Sequence, residues 1–276
     1  MRKLFRGVCV VALLMGLGTA RGQVTISPTT LFVDGQSQFQ TFIVMNGTNV
    51  SQEVSLDYQF GYPDADSLGN IFINYDDPVR ETEYSIVNWI RGYPRNFVIK
   101  PGQRRVVRLT VRPNVNLPDG MYWARIKTRS APVSPEIGVQ PDNAITTKIT
   151  VQFEQVIAVF YQVGEVRTGL DLRDVDVSTD QGVAVMKARV ERLGNAPYLG
   201  TVTMRVFDAN NQPVGEVRNL VSIYFDRMLK MQFDASQLPA GEYRSEITFQ
   251  STRSDIAERH LIPSRPITRS VNFSIR

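Results

Sequence analysis

One cysteine and one histidine are all that this chain of 276 residues offers to thiol or imidazole chemistry. Cys9 lies in an N-terminal apolar run, Val8 to Gly18, which follows the basic residues Arg2, Lys3 and Arg6 and precedes Ala20-Arg21-Gly22. This is the three-part layout of a secretory signal peptide, cut ahead of Gln23, and it implies export across a bacterial inner membrane. The run is too short for a spanning helix, which needs about 20 apolar residues. No second long apolar stretch follows, and no lipobox surrounds Cys9. Without the leader the chain can form no disulfide, thiolate nucleophile or Cys-ligated zinc site. A Ser-His-Asp triad would have to use His260, and no Gly-x-Ser-x-Gly elbow supplies its nucleophile. His260 therefore reads as a loop or strand-edge residue. A histidine-based metal site would need several further N or S ligands. Phosphate loops, dinucleotide fingerprints and interleaved basic–aromatic motifs are absent too. The expectation is a protein that is not an enzyme, uses no cofactor or metal and binds no nucleic acid.

An excess of charge is also missing. Arg2, Lys3, Arg6 and Arg21 leave with the leader, so the 31 Lys and Arg of the precursor fall to the number of its Asp and Glu, 27. A basic balance would have pointed to nucleic acid, and processing removes it. Asp64, Asp66, Asp76 and Asp77 form a loose acidic cluster. It reads as a solvated loop, because the ligand order and closing Glu of a calcium loop are absent. The tripeptides starting at Asn46, Asn49 and Asn272 match the glycosylation sequon, which means little in a bacterial exported protein.

What is present is β-structure. Short alternating runs separated by Gly, Pro, Asn and Asp are the pattern of a sandwich or barrel. Strands are expected at Val24–Val33, Phe39–Met45, Glu53–Phe60, Arg104–Arg112, Met121–Thr128 and Ile145–Tyr161. Further strands are expected at Gly182–Arg192, Thr201–Asp208, Met228–Asp234, Tyr243–Gln250 and Arg269–Ile275. No segment sustains helical periodicity. Gly61–Arg95 reads as a long connection with one or two short strands.

One pattern occurs twice. Leu117-Pro118-Asp119-Gly120-Met121-Tyr122 and Leu238-Pro239-Ala240-Gly241-Glu242-Tyr243 each precede an alternating strand. Pro and Gly turn the chain, and the Tyr at the strand start can hydrogen-bond back across the corner, as in an immunoglobulin-like sandwich. The alternative is two unrelated turns of a common β-arch type. The roughly 250 residues after the leader suit two domains of about 100–150 each. The expected fold is all-β, with two tandem immunoglobulin-like β-sandwich domains over residues 23–163 and 164–276. In the Ile145–Tyr161 strand, Ile149, Val151 and Phe153 share one face, since side chains alternate. Beyond Val156 both faces are apolar, which places that end at a buried junction.

At this point the chain resembles the PapD-like periplasmic pilus chaperones. The likeness is carried by Val24-Thr25-Ile26-Ser27-Pro28 with Phe32-Val33-Asp34-Gly35, and by Phe97-Val98-Ile99-Lys100-Pro101-Gly102 with Val106-Val107-Arg108-Leu109. Leu117-Pro118-Asp119 and the stretch from Ile149-Thr150-Val151-Gln152-Phe153 to Val159-Phe160-Tyr161 complete it. The resemblance covers about residues 23–163; the second half matches mainly in layout.

It implies a periplasmic protein that lends a β-strand to secreted pilus or fimbrial subunits, with Ile149, Val151 and Phe153 as client-binding donors. On alternation alone those residues could equally line their own domain's core. It also implies contact with an outer-membrane assembly platform. An exposed apolar edge strand tends to recruit another strand, so self-capping or a homodimer is expected when no client is present. The family holds its client's C-terminal carboxylate with two basic residues. The matching positions here are Thr30 and Ala158, neither charged, and the family's Arg after the long strand is Gln162. Either the anchor has moved, with Arg125 and Lys127 on the neighbouring strand able to substitute, or the client presents no carboxylate, or the chain has another task; no anchor residue is nominated. A structural or adhesive cell-surface protein of the same domains is the competing expectation.

Overall fold

The computed structural model describes residues 23–133 and 151–276. The leader, Ile149 and the first part of the expected long strand lie outside them. In chain order the first half contains β1 (Val24–Ser27), β2 (Thr30–Asp34), β3 (Phe39–Asn46), β4 (Gln52–Gln59), β5 (Tyr62–Ala65), β6 (Ile71–Asn74) and helix α1 (Pro78–Tyr84). It continues with β7 (Ile90–Tyr93), β8 (Asn96–Ile99), β9 (Arg104–Val111), β10 (Gly120–Pro132) and β11 (Phe153–Val163). The second half contains β12 (Thr168–Asp180), β13 (Val183–Gly194), β14 (Tyr198–Phe207), β15 (Pro213–Ile223), β16 (Arg227–Asp234), β17 (Gly241–Gln250), a 3₁₀ turn at Glu258–His260 and β18 (Ile267–Ile275). Among the described residues no helix is long and apolar enough to cross a membrane.

Two sandwiches result, as expected. In the first, the sheet β1-β3-β9-β7 packs on β2-β11-β10-β4-β8. Alternate residues of each sheet point inward, so Phe42, Val44, Val107 and Leu109 meet Leu31, Val54, Leu56, Ala124, Ile126 and Val159 in one core. In the second, β12-β13-β16 packs on β15-β14-β17-β18 around Met186, Val190, Val202, Met204, Leu229, Ile247 and Phe249. Both expected corners form. The Tyr122 hydroxyl donates to the Pro118 carbonyl at 2.9 Å, and that of Tyr243 to Pro239 at 2.8 Å.

Several elements differ from expectation, each for a local reason. The first strand is two. Pro28 has no N–H and cannot continue a ladder, so β1 pairs with β3 and, after the break, β2 runs parallel to β11 in the other sheet. Among the described residues, the ladder of the expected strand Ile145–Tyr161 begins at Phe153, which faces Ser130. Two positions on, the partner strand reaches Pro132, which has no N–H to offer, so Val151 and Gln152 lie outside it.

β12, where no strand was expected, is hidden by a register shift between Arg173 and Asp176. Leu170 and Leu172 point inward before the bulge and Val177 after it, so the alternation changes phase mid-strand. β15 is an edge strand paired only with β14 and carries few inward residues. The Gly61–Arg95 connection holds the β5–β6 hairpin, α1 and β7. The short helix is capped by Asp77, whose carboxylate accepts from the Arg80 N–H, and Pro78 opens its first turn.

The two sandwiches close on each other through an aromatic cluster. Trp123 stacks on Phe60 and Tyr84 and meets Tyr224 edge-on at 4.8 Å, while Phe160 stacks on Tyr224. Such pairs contribute about 0.5–1.5 kcal/mol each beyond their buried area. Asn195 ties the corner: its side-chain N–H groups donate to the Asp119 and Glu165 carbonyls, and its own carbonyl accepts from the Met121 N–H. Gly164, in the left-handed region at φ +55°, stands where any Cβ would collide with the Asp119 carboxylate. At the far end of the junction His260 stacks on Phe32, with ring centroids 4.9 Å apart and planes 4° from parallel, and Phe32 stacks in turn on Phe160.

The two corner tyrosines test the sandwich reading. Tyr122→Phe and Tyr243→Phe each remove one hydrogen bond and are expected to lower unfolding free energy by about 0.5–1.5 kcal/mol; denaturant midpoints measure this, with m unchanged. His260 sets a pH dependence. Burial pushes its imidazole below the ordinary histidine range, and Arg259 adds to the shift. The unfolded chain then binds the proton more readily, so stability falls as pH drops through the unfolded value of about 6.5. The side-chain hydrogen bonds that hold Asp66, Asp77, Asp234 and Asp255 below the carboxylate range confine their losses to below about pH 4. Thermal melts between pH 7 and 5.5 should slope downward in the native protein and be nearly flat in His260→Phe.

Candidate functional site: an open strand edge above a cationic cleft

β11 is paired unequally on its two sides. Toward β10 the ladder runs from Gly120 opposite Val163 to Ser130 opposite Phe153. Toward β2 it covers only Ala158 to Gln162. The stretch Phe153–Ile157 therefore has one hydrogen-bonding edge without a ladder partner among the described residues. The Ala158 N–H points to the β2 side, donating to the Thr29 carbonyl. N–H groups alternate in direction along a strand, so those of Val156 and Glu154 also face the open edge.

The two faces of β11 have different surroundings. Ile157, Val159 and Tyr161 enter the core of the first sandwich. Ala158 and Phe160 enter the aromatic cluster at the junction, as the apolar run after Val156 implied. Phe153 is on the core-facing side, but beyond the end of that core, and is 47% exposed; Val151, just before the strand, is 54% exposed. Of the three expected donors these two are placed here, and neither belongs to a buried cluster. Gln155, between them and the core, donates from its side chain to the Val24 carbonyl at 2.8 Å.

The other face looks into a cleft between the sandwiches. The register sets Thr30, Ala158, Arg125 and Gln59 side by side on four successive strands. The two uncharged family positions are thus neighbours, and a guanidinium stands on the next strand. On β10, Arg125, Lys127 and Arg129 share this face. Arg129 is neutralised by Asp57 and by Glu154, the latter at 2.9 Å. Arg125 and Lys127 make no ion pair among the described residues. Arg125 donates to the Gly61 carbonyl at 3.1 Å and the Tyr224 hydroxyl at 3.2 Å, both neutral. Lys127 lies 4.5 Å from the centroid of the Tyr75 ring. Both side chains are half-buried. Burial raises the phenols of Tyr224 and Tyr75, so neither supplies an anion near neutral pH. Asp57 is the cross-strand neighbour of Lys127 but is paired with Arg95 and Arg129, so Arg125 above all is served by dipoles and a ring in a partly dry cleft, an arrangement that favours an incoming carboxylate.

Tyr224, Gly61 and Tyr75 carried no signal in the sequence. They reach the cleft from the second sandwich and from the long connection, and only the register of the fold unites them with Arg125. The acidic cluster does not converge on a cation. The Asp66 carboxylate accepts from the Leu68 and Asn70 N–H groups to close the β5–β6 turn, while Asp77 caps α1 and accepts from the Tyr62 hydroxyl. Among the described residues no group of three or more His, Cys, Asp or Glu could hold a metal. His260 borders a cavity of about 520 Å³ with Asp34, Gln162 and Arg259, far from any nucleophile-and-base arrangement.

No protein-family model matches the sequence, and no curated protein is detectably similar to it. Solved structures of pilus chaperones align with the chain at low identity. The chaperone–tip adhesin complex CsuC–CsuE of Acinetobacter baumannii aligns over 90% of this chain and 98% of that one, at 14% identity and a TM-score of 0.47. The YadV chaperone aligns over 92% and 100%, at 12% identity and 0.46. The Salmonella enterica SafB chaperone, solved with the SafA pilin, aligns over 92% and 99%, at 12% identity and 0.45. The functional reading rests on the β11 edge and the cleft beside it.

Proposed function

We propose that this protein is a periplasmic chaperone-like binder, delivered through a cleaved leader, that completes secreted β-rich pilus or fimbrial subunits by strand addition. The observation that carries the reading is the half-open β11. Its side toward β10 is fully laddered through Phe153, while its other side offers the backbone of Glu154 and Val156 beside exposed Val151 and Phe153. An incomplete sandwich presents the complement: a missing strand and an apolar groove. Main-chain hydrogen bonds supply affinity in strand addition, and alternate side chains supply fit. Ile149, Val151 and Phe153 are the proposed donors, in a first domain 23–163 followed by a second, 164–276. The protein binds rather than catalyses. An outer-membrane assembly platform is the further partner this role entails, and without a client the open edge is expected to be capped by a second copy.

The client's terminal carboxylate, in this reading, is held by Arg125 with Lys127, one strand over from Thr30 and Ala158. Arg125 can give up its two neutral acceptors for a charged one, whereas Arg129 is already neutralised.

Photocrosslinking from position 151 in the native compartment tests the donor role, with adducts identified by mass spectrometry. A small secreted β-rich subunit is the expected product. Adducts to nothing, or to this chain's own core, would overturn strand donation and favour the surface-structural alternative. For the anchor, a purified client should bind at least about tenfold more weakly to Arg125→Ala, as expected when charge-assisted bonds of about 1.5–3 kcal/mol are lost. A client ending in a carboxamide should lose affinity to the native protein by a similar factor and be insensitive to the substitution.

A further inference from the structure

The sheet β1-β3-β9-β7 contains no aspartate or glutamate, yet Arg91, Arg104, Arg105 and Arg108 all lie in it. Its inner face is spent on the core. On its outer face the register sets Ile43 opposite Val106, Met45 opposite Arg104, and both Thr41 and Tyr93 opposite Arg108. Val106, at the centre, is 57% exposed, and Tyr93, at the edge, 81%. Arg91, Arg104 and Arg108 make no ion pair among the described residues. On the opposite sheet, by contrast, Arg95 and Arg129 share Asp57. The acids on strands of this sandwich lie elsewhere, among them Glu53 and Asp57 on β4, Asp64 on β5 and Glu154 on β11.

A solvent-facing sheet face is ordinarily polar, with both signs of charge interspersed. An exposed apolar centre bordered by arginines and an exposed tyrosine fits the residue types enriched at protein–protein contacts. We propose that this face docks a partner protein whose contact surface carries carboxylates around an apolar centre. Every cation on the four strands is a guanidinium, whose planar fork matches a carboxylate with two bonds, and none is a lysine. An anionic membrane fits less well. Membrane-surface elements insert long apolar side chains from an amphipathic helix, and short aliphatics on a pleated sheet reach little depth. The face lies on the sheet that does not contain β11. It can be engaged while β11 holds a client, and the inference stands whether or not β11 donates a strand.

The test places benzoylphenylalanine at position 106 of the full chain in cells that make it, alone and combined with Arg104→Glu and Arg108→Glu. Both arginines are exposed, so circular dichroism should report an unchanged fold. The expected result is an adduct to one identified protein, through a peptide rich in Asp and Glu. The charge reversals should cut its yield at least tenfold, and so should about 0.5 M salt in the purified mixture, while crosslinks from position 151 stay unchanged. Adducts only to lipid, only to this chain, through a neutral or basic peptide, or in a yield indifferent to the reversals would overturn the proposal, as would no adduct. Arginine-dependent co-sedimentation with phosphatidylglycerol vesicles in place of a protein adduct would also overturn it, in favour of a membrane surface.

Discussion

The middle of β11 is buried on both faces, and most of what this protein can do depends on that. Ile157 and Val159 are held in the core of the first sandwich, while Ala158 and Phe160 are held among Trp123, Tyr224 and Phe225 from both halves. A strand gripped from two sides cannot slip, because a one-residue slip would send every inward side chain to the wrong face. The same grip fixes the two sandwiches against each other, since Phe160 belongs to the strand and to the junction at once. The open edge is therefore the continuation of a segment buried on both faces. Its backbone groups are presented in a fixed direction, which would reduce the ordering cost of the proposed strand addition.

The cleft follows from the same arrangement. Once Trp123 is committed to the junction, alternation along β10 sends Arg125, Lys127 and Arg129 to the same side. The carboxylates of Asp57 and Glu154 reach only the last of them. Arg125 and Lys127 are left with a carbonyl, a hydroxyl and a ring, which stabilise a cation less than a carboxylate does in a partly buried site. The charge in the cleft is unbalanced by construction, and the outer face of β1-β3-β9-β7 is unbalanced in the same sense. The even count of acids and bases over residues 23–276 conceals both.

The architecture was largely legible in the sequence, and the site only in part. Alternation located most strands, and the two Leu-Pro-x-Gly-x-Tyr corners located the sandwiches, because turn chemistry and period-two patterns are local. β12 was not legible: its bulge shifts the pattern by one, and its exposed face is rich in Asp, Ser and Thr. α1 was missed because seven residues are too few for a helical period to show. At the site, Val151 and Phe153 could be read as candidates from alternation and resemblance. That Arg125 stands beside Ala158, under Tyr224, is a matter of pairing register and of how two sandwiches meet, and neither is written in any local run of residues.

The unequal ladder of β11 also makes it a gauge. From Ala158, beside Arg125, back to Phe153 the strand advances five residues, about 17 Å at the usual rise per residue. A chain end seated at Arg125 would therefore meet Phe153 only at one depth along its own strand, and with only one of its two faces turned inward. A client strand shorter or longer by a single residue would bring the wrong face to the apolar side chains. Selection would then operate by length and phase as much as by side-chain chemistry, so that sequences with little in common could be accepted provided they are cut to the same measure.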